Sequence, residues 1–400
     1  MPSDQPSLEA TDFLGLDADL APDELVVRDR TRRFVASQVL PEIADWYERG
    51  HFPLELAKEL GALGLLGMHL EGDGVTGSRA YGCAGSSAVG YGLACRELEA
   101  GDSGLRSFMS VQGSLAMYPI WRYGSDEQKA AWLPRMAAGE AIGAFGLTEP
   151  LAGSNPAAMR TSARRDGPDW VLDGHKRWST NATAAELLVV WAMTGDGVAG
   201  FLVPAATHGV DVRPIEGKLS LRASLSAEYT LDGVRLPADA VLPGVRGLRG
   251  PLTCLDEARF GILWGVVGAA RDCLAAALGH ARTREQFGRP IGAFQLTQAK
   301  LVAMTTEVTR AALLALQLGR MKDAGTLRPE QISLGKLDNV RAAVAVAHTA
   351  RSILAAAGIT SAYPVMRHAA NLESVLTYEG TSEMHTLIVG RAITGLDAFS

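Results

Sequence analysis

The stretch Ile262 to His280, "ILWGVVGAARDCLAAALGH", sets Ile262, Val266, Ala269, Cys273, Ala276 and His280 four and three residues apart. Side chains at that spacing line one face of an α-helix, so the segment predicts a long helix with a single apolar side. The pattern returns at Leu301, Met304, Val308, Ala311, Ala315 and Leu318, and again at Leu337, Val340, Val344 and Ala347. Consecutive long helices bury such stripes against one another, which predicts a four-helix bundle over residues 246–400. Upstream of "LPGVRGLRGP" (Leu242 to Pro251) the texture changes. From 141 to 245, short β-rich runs carry Asp-Gly pairs, in "DWVLDGHKRW" (Asp173-Gly174) and "EYTLDGVRL" (Asp232-Gly233), which read as hairpin turns of a middle antiparallel β domain. Residues 1–140 read as helices punctuated by glycine. Within them, "GSDEQKAAWLPRMAAGE" gives Ser125 and Gln128 the spacing of a capping box, with Gly139 where the helix should stop. The expected class is therefore α+β, in the order helical, β, helical.

The 400-residue chain is long enough for several subdomains, and its net charge of −6 supplies no basic field for nucleic acid or an anionic membrane. A small-molecule role is expected. The opening residues, "MPSDQPSLEATDFLGLDADLAPDEL", are acidic and lack the pattern of a targeting peptide, and no stretch reads as apolar enough to cross a bilayer. The expectation is a cytoplasmic protein. Four cysteines (Cys83, Cys95, Cys254, Cys273) fall at unrelated spacings and eight histidines form no ligand motif, so neither a disulfide framework nor a metal is implied.

Several segments carry candidate chemistry. "GDGVTG" (Gly72 to Gly77) formally matches a dinucleotide fingerprint, but Gly82 and Gly85 interrupt the residues after it and no βαβ unit surrounds it, so it reads as a loop. In "RELEAGDSGLRSFMS" (Arg96 to Ser110), composition alone makes Glu99 and Arg106 a solvated helix end. In "FGLTEPLAGSNP" and "KRWSTN", strands open into threonine, glycine and serine, whose amides and hydroxyls can hold an oxygen-rich ligand while Trp178 covers a flat ring; an ordinary turn and a core tryptophan give the same letters. In "TYEGTSEMH" (Thr377 to His385), Glu379 precedes a glycine and a helix cap formed by Thr381 or Ser382, so an acid that favours a helix entrance explains it without catalysis.

The order of these segments carries more than any one of them. "FGLTEP", "WSTN", "TREQFGRPIGAFQL" and "YEGTSEMHTLIVGRAITG", on an α-β-α plan, resemble the acyl-CoA dehydrogenase superfamily from about residue 20 to the end. "RELEAGDSGLRSFMSVQGSL", "GKLSLRAS" and "RHAANLESVLTYEGT" look most like its glutaryl-CoA dehydrogenases. The resemblance implies FAD held between the β domain and the C-terminal helices of a homotetramer, a dimer of dimers. It places Phe145, Leu147, Thr148, Ser154, Trp178, Ser179 and Thr180 around the flavin, with Ser154 also near the thioester. Thr381 and Glu383 would complete the flavin pocket, Arg284 and Gln295 would reach the FAD of a neighbouring subunit, and Ala355 and Ala356 would lie near the FAD phosphates. Asp256 and Arg259 in "LDEARFG" look like contacts to the CoA arm, and Tyr378 and Gly380 would line the acyl pocket.

Glu379 matches the catalytic base, which would remove the α-proton while a hydride leaves the β-carbon; the backbone N–H of Glu379 and a ribityl hydroxyl would polarise the thioester oxygen. Arg106, oriented by Glu99 and flanked by Ser107 and Ser110, would hold the terminal carboxylate of a glutaryl chain. The implied reaction is oxidative decarboxylation of glutaryl-CoA to crotonyl-CoA and carbon dioxide, with an electron-transfer flavoprotein as acceptor. Ala355, Ala356 and Ala357 stand where the family usually has two glycines and an asparagine, and Leu151, Asn155 and Ser179 replace commoner Asn, Asp and Ile. These departures leave open an oxidation that stops before decarboxylation, a carrier-protein-linked thioester, and a flavin-free thioester-binding protein.

Overall fold

The computed structural model describes residues 8–70 and 80–398; the glycine-rich stretch Gly72 to Gly77 lies outside the described residues. The N-terminal part is helical. Helices α1 (Pro22–Phe34), α2 (Ile43–Arg49), α3 (Leu56–Ala62) and α4 (Ala88–Gly101) lead to α5 (Ser103–Ser110). The chain then runs through a π-helical segment, Val111–Met117, into α6 (Tyr118–Tyr123) and α7 (Asp126–Ala137). The capping box at α7 forms as the letters predict: Ser125 Oγ accepts from Gln128 N (3.2 Å), and the Gln128 side chain accepts from Ser125 N (3.0 Å). Gly139 follows in the left-handed conformation (φ 73°), which lets the chain leave the helix.

Between α4 and α5 stands Asp102, with an extended backbone (φ −165°, ψ 144°). Its carboxylate caps α5 at Gly104 N (2.7 Å) and accepts from Arg367 (2.9 Å) and Asn371 (2.8 Å). This fixed break turns the last turn of α4 toward the middle of α5.

The β domain comprises β1 (Gly143–Gly146), β2 (Ser162–Asp166), β3 (Asp169–Thr180), β4 (Leu187–Thr194), β5 (Gly197–Pro204), β6 (Val210–Pro214) and β7 (Ser226–Leu236). Its order is β1-β4-β2-β3-β7-β6, with β5 on β4. The sheet is not purely antiparallel as expected, because β1 and β4 run parallel. Nor do the Asp-Gly pairs turn. Both sit inside long strands, where the β3–β7 ladder shifts register between Leu172 and Gly174 and Asp173 accepts from Gly233 N across it (2.8 Å). The two pairs meet at one bulge, where Gly233 takes a positive φ (58°), a use of glycine that local sequence does not separate from a hairpin.

The C-terminal part begins with α8 (Arg249–Thr283), continues through a small hairpin, β8 (Glu285–Gln286) and β9 (Arg289–Pro290), and ends with α9 (Gln295–Asp323), α10 (Pro329–Leu354), α11 (Val365–Val375) and α12 (Ser382–Thr394). The α8 stripe from Ile262 to Cys273 is buried as its spacing predicts. On α10 the buried face is rotated slightly from the expected one: Val340 and Ala347 are buried, while Leu337 and Val344 are half-buried. The reading that no stretch is apolar enough to cross a membrane is corrected. Arg249–Thr283, Gln295–Asp323 and Pro329–Ile359 all reach that length and hydropathy. In the fold the α8 stretch is spent on the protein's own core, 72% of it buried, whereas only 28% of the α9 stretch is buried within this chain.

Candidate active site

The break at Asp102 brings Glu99 and Arg106 face to face, and both are fully buried (0% exposed). This overturns the reading of the pair as a solvated helix end. Arg106 Nε donates to Glu99 Oε2 (2.6 Å), and the other Glu99 oxygen accepts from Ser103 Oγ (2.9 Å). Arg106 Nη2 donates to the Tyr378 hydroxyl, and its guanidinium also lies 5.8 Å from the centre of the Tyr378 ring. Nη1 has no partner among the described residues, and neither has the buried Ser110 Oγ four residues along the same helix. Ser107 is buried beside them. Burial alone would lower the Arg106 pKa, but Glu99, Tyr378 and Glu379 hold it above its ordinary value, so the guanidinium is charged.

Room for this pair comes from α8. At Gly265 an added Cβ would lie 2.1 Å from Glu99 Oε2, so only a residue without a side chain fits there. Gly268, nearly one turn on, has a similar role against the Arg96 carbonyl (1.8 Å).

Glu379 lies in the loop between α11 and α12. Thr381 caps α12, its hydroxyl accepting from Met384 N (3.2 Å), so the helix-entrance reading of this stretch is right as far as it goes. Glu379 itself adopts a left-handed backbone (φ 54°), unusual outside glycine, and its Oε2 is buried without a hydrogen-bond partner among the described residues. Burial raises its pKa against the opposing pull of Arg106, Lys336 and Arg259. A raised pKa and an unpartnered oxygen suit a group that exchanges a proton, and they cost stability at a mere cap. Gly380 (φ 103°) follows, its Cα packed against His385 so closely that a Cβ would lie 2.8 Å from Nε2.

Arg259 on α8 donates through Nε to the Glu379 carbonyl (2.8 Å) and through Nη1 to Asp256 (2.9 Å). These two residues, expected on the CoA arm, thus brace the Glu379 loop in this structure. Two features escape the sequence reading. Lys336 on α10 donates to the carbonyls of Tyr378 and Gly380, both at 2.6 Å. A signal for it exists: Lys336 stands four residues from both Ile332 and Val340, which are buried. The second is Lys176, buried on β3, which donates to the Leu147 carbonyl (3.1 Å) and to Glu149 (2.8 Å). Glu149 also accepts from the amides of Arg160 (2.6 Å) and Thr161 (2.9 Å). Burial works against its charge, yet these bonds pull its pKa down to about 2, so the loop carrying Leu147 and Thr148 is tied down from below.

The remaining expected residues form the wall of the β domain and outlying points. Phe145 and Leu147 are buried at the end of β1. A second register shift, between Lys176 and Ser179, turns Trp178 outward (φ 62°, 57% exposed) and tucks Ser179 inside, with Thr180 half-buried after it. Ser154 lies on an exposed loop and Glu383 in the exposed first turn of α12. Arg284 and Gln295 are exposed at the far end of α8 and the start of α9. They follow Arg259 by a helix that spans about 37 Å at 1.5 Å per residue, so they do not join the Glu379 cluster. Ala355 and Ala356 are exposed where α10 ends, Ala355 in a conformation (φ 51°, ψ −126°) that glycine adopts freely.

Residues 21–140, 144–234 and 245–394 match the N-terminal, middle and C-terminal domains of acyl-CoA dehydrogenase. The short-chain specific acyl-CoA dehydrogenase of Homo sapiens mitochondria is 34% identical over 90% of this chain and 87% of its own. The chain belongs to the acyl-CoA dehydrogenase family. Within the family, a glutaryl-CoA dehydrogenase crystal structure from Mycobacterium smegmatis is 61% identical, with a TM-score of 0.95 over 98% of this chain and 100% of that one. A second glutaryl-CoA dehydrogenase structure from that organism, in complex with FADH2, is 56% identical at the same TM-score and coverage. An acyl-CoA dehydrogenase oxidises an acyl thioester at its α and β carbons, and a buried carboxyl with a raised pKa, such as Glu379, is chemically able to take up a proton.

Proposed function

We propose that the protein is an FAD-dependent glutaryl-CoA dehydrogenase that oxidises and decarboxylates its substrate. The carrying observation is the buried guanidinium of Arg106, whose Nη1 has no hydrogen-bond partner among the described residues. A simple acyl chain ends in a methyl group and gives that donor nothing. A glutaryl chain ends in a carboxylate, which must find a cation when it leaves water, and Arg106 offers charge and a free N–H together. Because Glu99 neutralises only one side of the guanidinium, the incoming carboxylate is accepted without displacing a bond.

The residues fit a flavin. Ser179 Oγ is buried and without a partner among the described residues at the foot of an outward-held Trp178, and the Leu147–Thr148 loop is fixed by the Lys176–Glu149 pair. Phe145, Leu147, Thr148, Trp178, Ser179 and Thr180 would hold the ring system, with Thr381 at the α12 entrance. When bound, the flavin supplies the two-electron acceptor for the β-hydride. The rest falls to the chain. Arg106 anchors the far end of the substrate, and Glu379 takes the α-proton. With the double bond formed, the C–C bond to the carboxylate breaks, carbon dioxide leaves, and its electron pair enters a dienolate. The proton held on Glu379 returns to the γ-carbon to give crotonyl-CoA.

The exposed Arg284 and Gln295, about 37 Å along α8 from the Glu379 cluster, support the reading that they serve the flavin of another copy in a homotetramer. The exposed α9 side chains Leu296 and Val302, with Phe287 of the hairpin 94% exposed, supply apolar surface for that assembly. Electrons pass on to an electron-transfer flavoprotein. The four cysteines are free and buried, in keeping with a reducing cytoplasm. The test is to bleach the flavin anaerobically with glutaryl-CoA and identify products: crotonyl-CoA and one equivalent of carbon dioxide support the reading, and glutaconyl-CoA without carbon dioxide overturns the decarboxylation.

A further inference from the structure

Glu379 is held in an unfavourable backbone conformation, and the structure shows what holds it. Three successive carbonyls, those of Tyr378, Glu379 and Gly380, each accept a hydrogen bond from a cationic side chain on a neighbouring helix. Arg259 takes the middle one, and the single ammonium of Lys336 takes the two outer ones. Lys336 is 2% exposed, and its Nζ lies 5.8 Å from the centre of the Tyr378 ring, which Arg106 also contacts at 5.8 Å. An ammonium has three N–H donors, so two of them are committed to the backbone on either side of one carboxylic acid. A left-handed non-glycine residue costs about 1 kcal/mol or more and persists only where its surroundings over-determine it.

We propose that Lys336 is a positioning residue for Glu379: by bridging the carbonyls on both sides, it fixes the peptide geometry that aims the carboxyl and keeps a positive charge beside it. The proposal rests on the reading of Glu379 as the base. Arg106 and Arg259 each also pair with a carboxylate, Glu99 and Asp256 respectively, whereas Lys336 donates to the two carbonyls and joins the two arginines in favouring the Glu379 anion. Burial draws the Lys336 pKa down to about 7, with Glu379 raising it and Arg259 and Arg106 lowering it. The groups facing this pair are Arg259 and Asp256 from α8, Glu99 from α4, Arg106 from α5, His385 from α12, and Tyr378 in the loop itself.

The test uses flavin-loaded Lys336→Met, Lys336→Gln and Lys336→Arg with Glu379→Gln as reference. Without the positive charge, the Glu379 carboxyl is harder to ionise, so the acidic limb of kcat should move up by about one pH unit in the Met and Gln variants and stay in place in the Arg variant. In the Met and Gln variants kcat should fall at least about tenfold, with KM within about threefold, because the substrate's own anchors are untouched. Infrared difference titration of the Glu379 carboxyl band, assigned by its loss in Glu379→Gln, should show the same shift without turnover. If the Met variant fails to load flavin, the Gln and Arg pair decides the matter alone. A Gln variant with wild-type kcat, acidic limb and infrared titration overturns the positioning role. Full turnover by Glu379→Gln would instead sink the reading of Glu379 as base, so the two failures are distinguishable.

Discussion

Gly265→Ala is the smallest change that reaches the carboxylate anchor without touching a residue of the site. Its Cβ would stand 2.1 Å from Glu99 Oε2 and 3.2 Å from Arg106 Nε. Carbon and oxygen settle near roughly 3.5 Å, so the Glu99 carboxylate must retreat by about 1.4 Å. It has little freedom to do so, because Oε1 is engaged by Ser103 and Oε2 by Arg106 at 2.6 Å. A retreat of that size lengthens the 2.6 Å Arg106 bond to about 4.0 Å, beyond hydrogen-bonding range. Losing one charge-assisted bond costs about 1.5–3 kcal/mol, and the orientation of Arg106 goes with it. The ratio of kcat/KM for glutaryl-CoA over butyryl-CoA should therefore fall by roughly 10- to 150-fold. Steady-state rates for both thioesters on the flavin-loaded variant measure it. An unchanged ratio in a folded Gly265→Ala protein would refute the idea that the Glu99–Arg106 geometry governs chain selection.

Ala355→Gly should stabilise the protein and tighten flavin retention, since Ala355 holds a backbone conformation that glycine adopts at little cost. The gain is about 1 kcal/mol, visible as a rise of about 1–2 °C in the thermal midpoint, and a fall would contradict it. Acidification should destabilise the fold through His385, whose pKa is lowered to about 3, first by burial and then by Lys336 and Arg259. Between about pH 3 and 6.5 the unfolded chain binds this proton and the folded chain does not, so stability present above about pH 6.5 is lost as pH falls. The loss is about 2 kcal/mol by about pH 5. His385→Gln should flatten that slope in urea titrations, and an unaltered slope would move the acid lability elsewhere.

Much of this fold is legible from the letters because helix periodicity is a local signal, and the α8 stripe from Ile262 to Cys273 needs no tertiary information. Where tertiary pairing decides, local letters mislead. Asp173-Gly174 and Asp232-Gly233 look like turns, but they face each other across one ladder and become a bulge. The same holds for the site. Glu99 and Arg106 read as solvent-facing because the sequence does not reveal that α8 covers them through Gly265. Lys336 escapes notice because a lysine among apolar residues is ordinarily a surface residue, and its two acceptors are carbonyls more than 40 positions away. Resemblance places Trp178 beside a flat ring, whereas its outward setting comes from a register shift that only the paired strand displays.

Two residues together carry the proposed chemistry: Glu379 as base and Arg106 as the anchor of a second carboxylate. Comparing kcat/KM for glutaryl-CoA and butyryl-CoA in the wild-type protein and in Arg106→Ala probes them at once. Wild type should favour glutaryl-CoA by roughly 30-fold or more, since a buried charge pair with one partner removed loses about 2–5 kcal/mol. In Arg106→Ala that preference should vanish. Equal rates for both thioesters in wild type, with the ratio unmoved by the substitution, would contradict the assignment of Arg106 and the glutaryl-CoA reading with it.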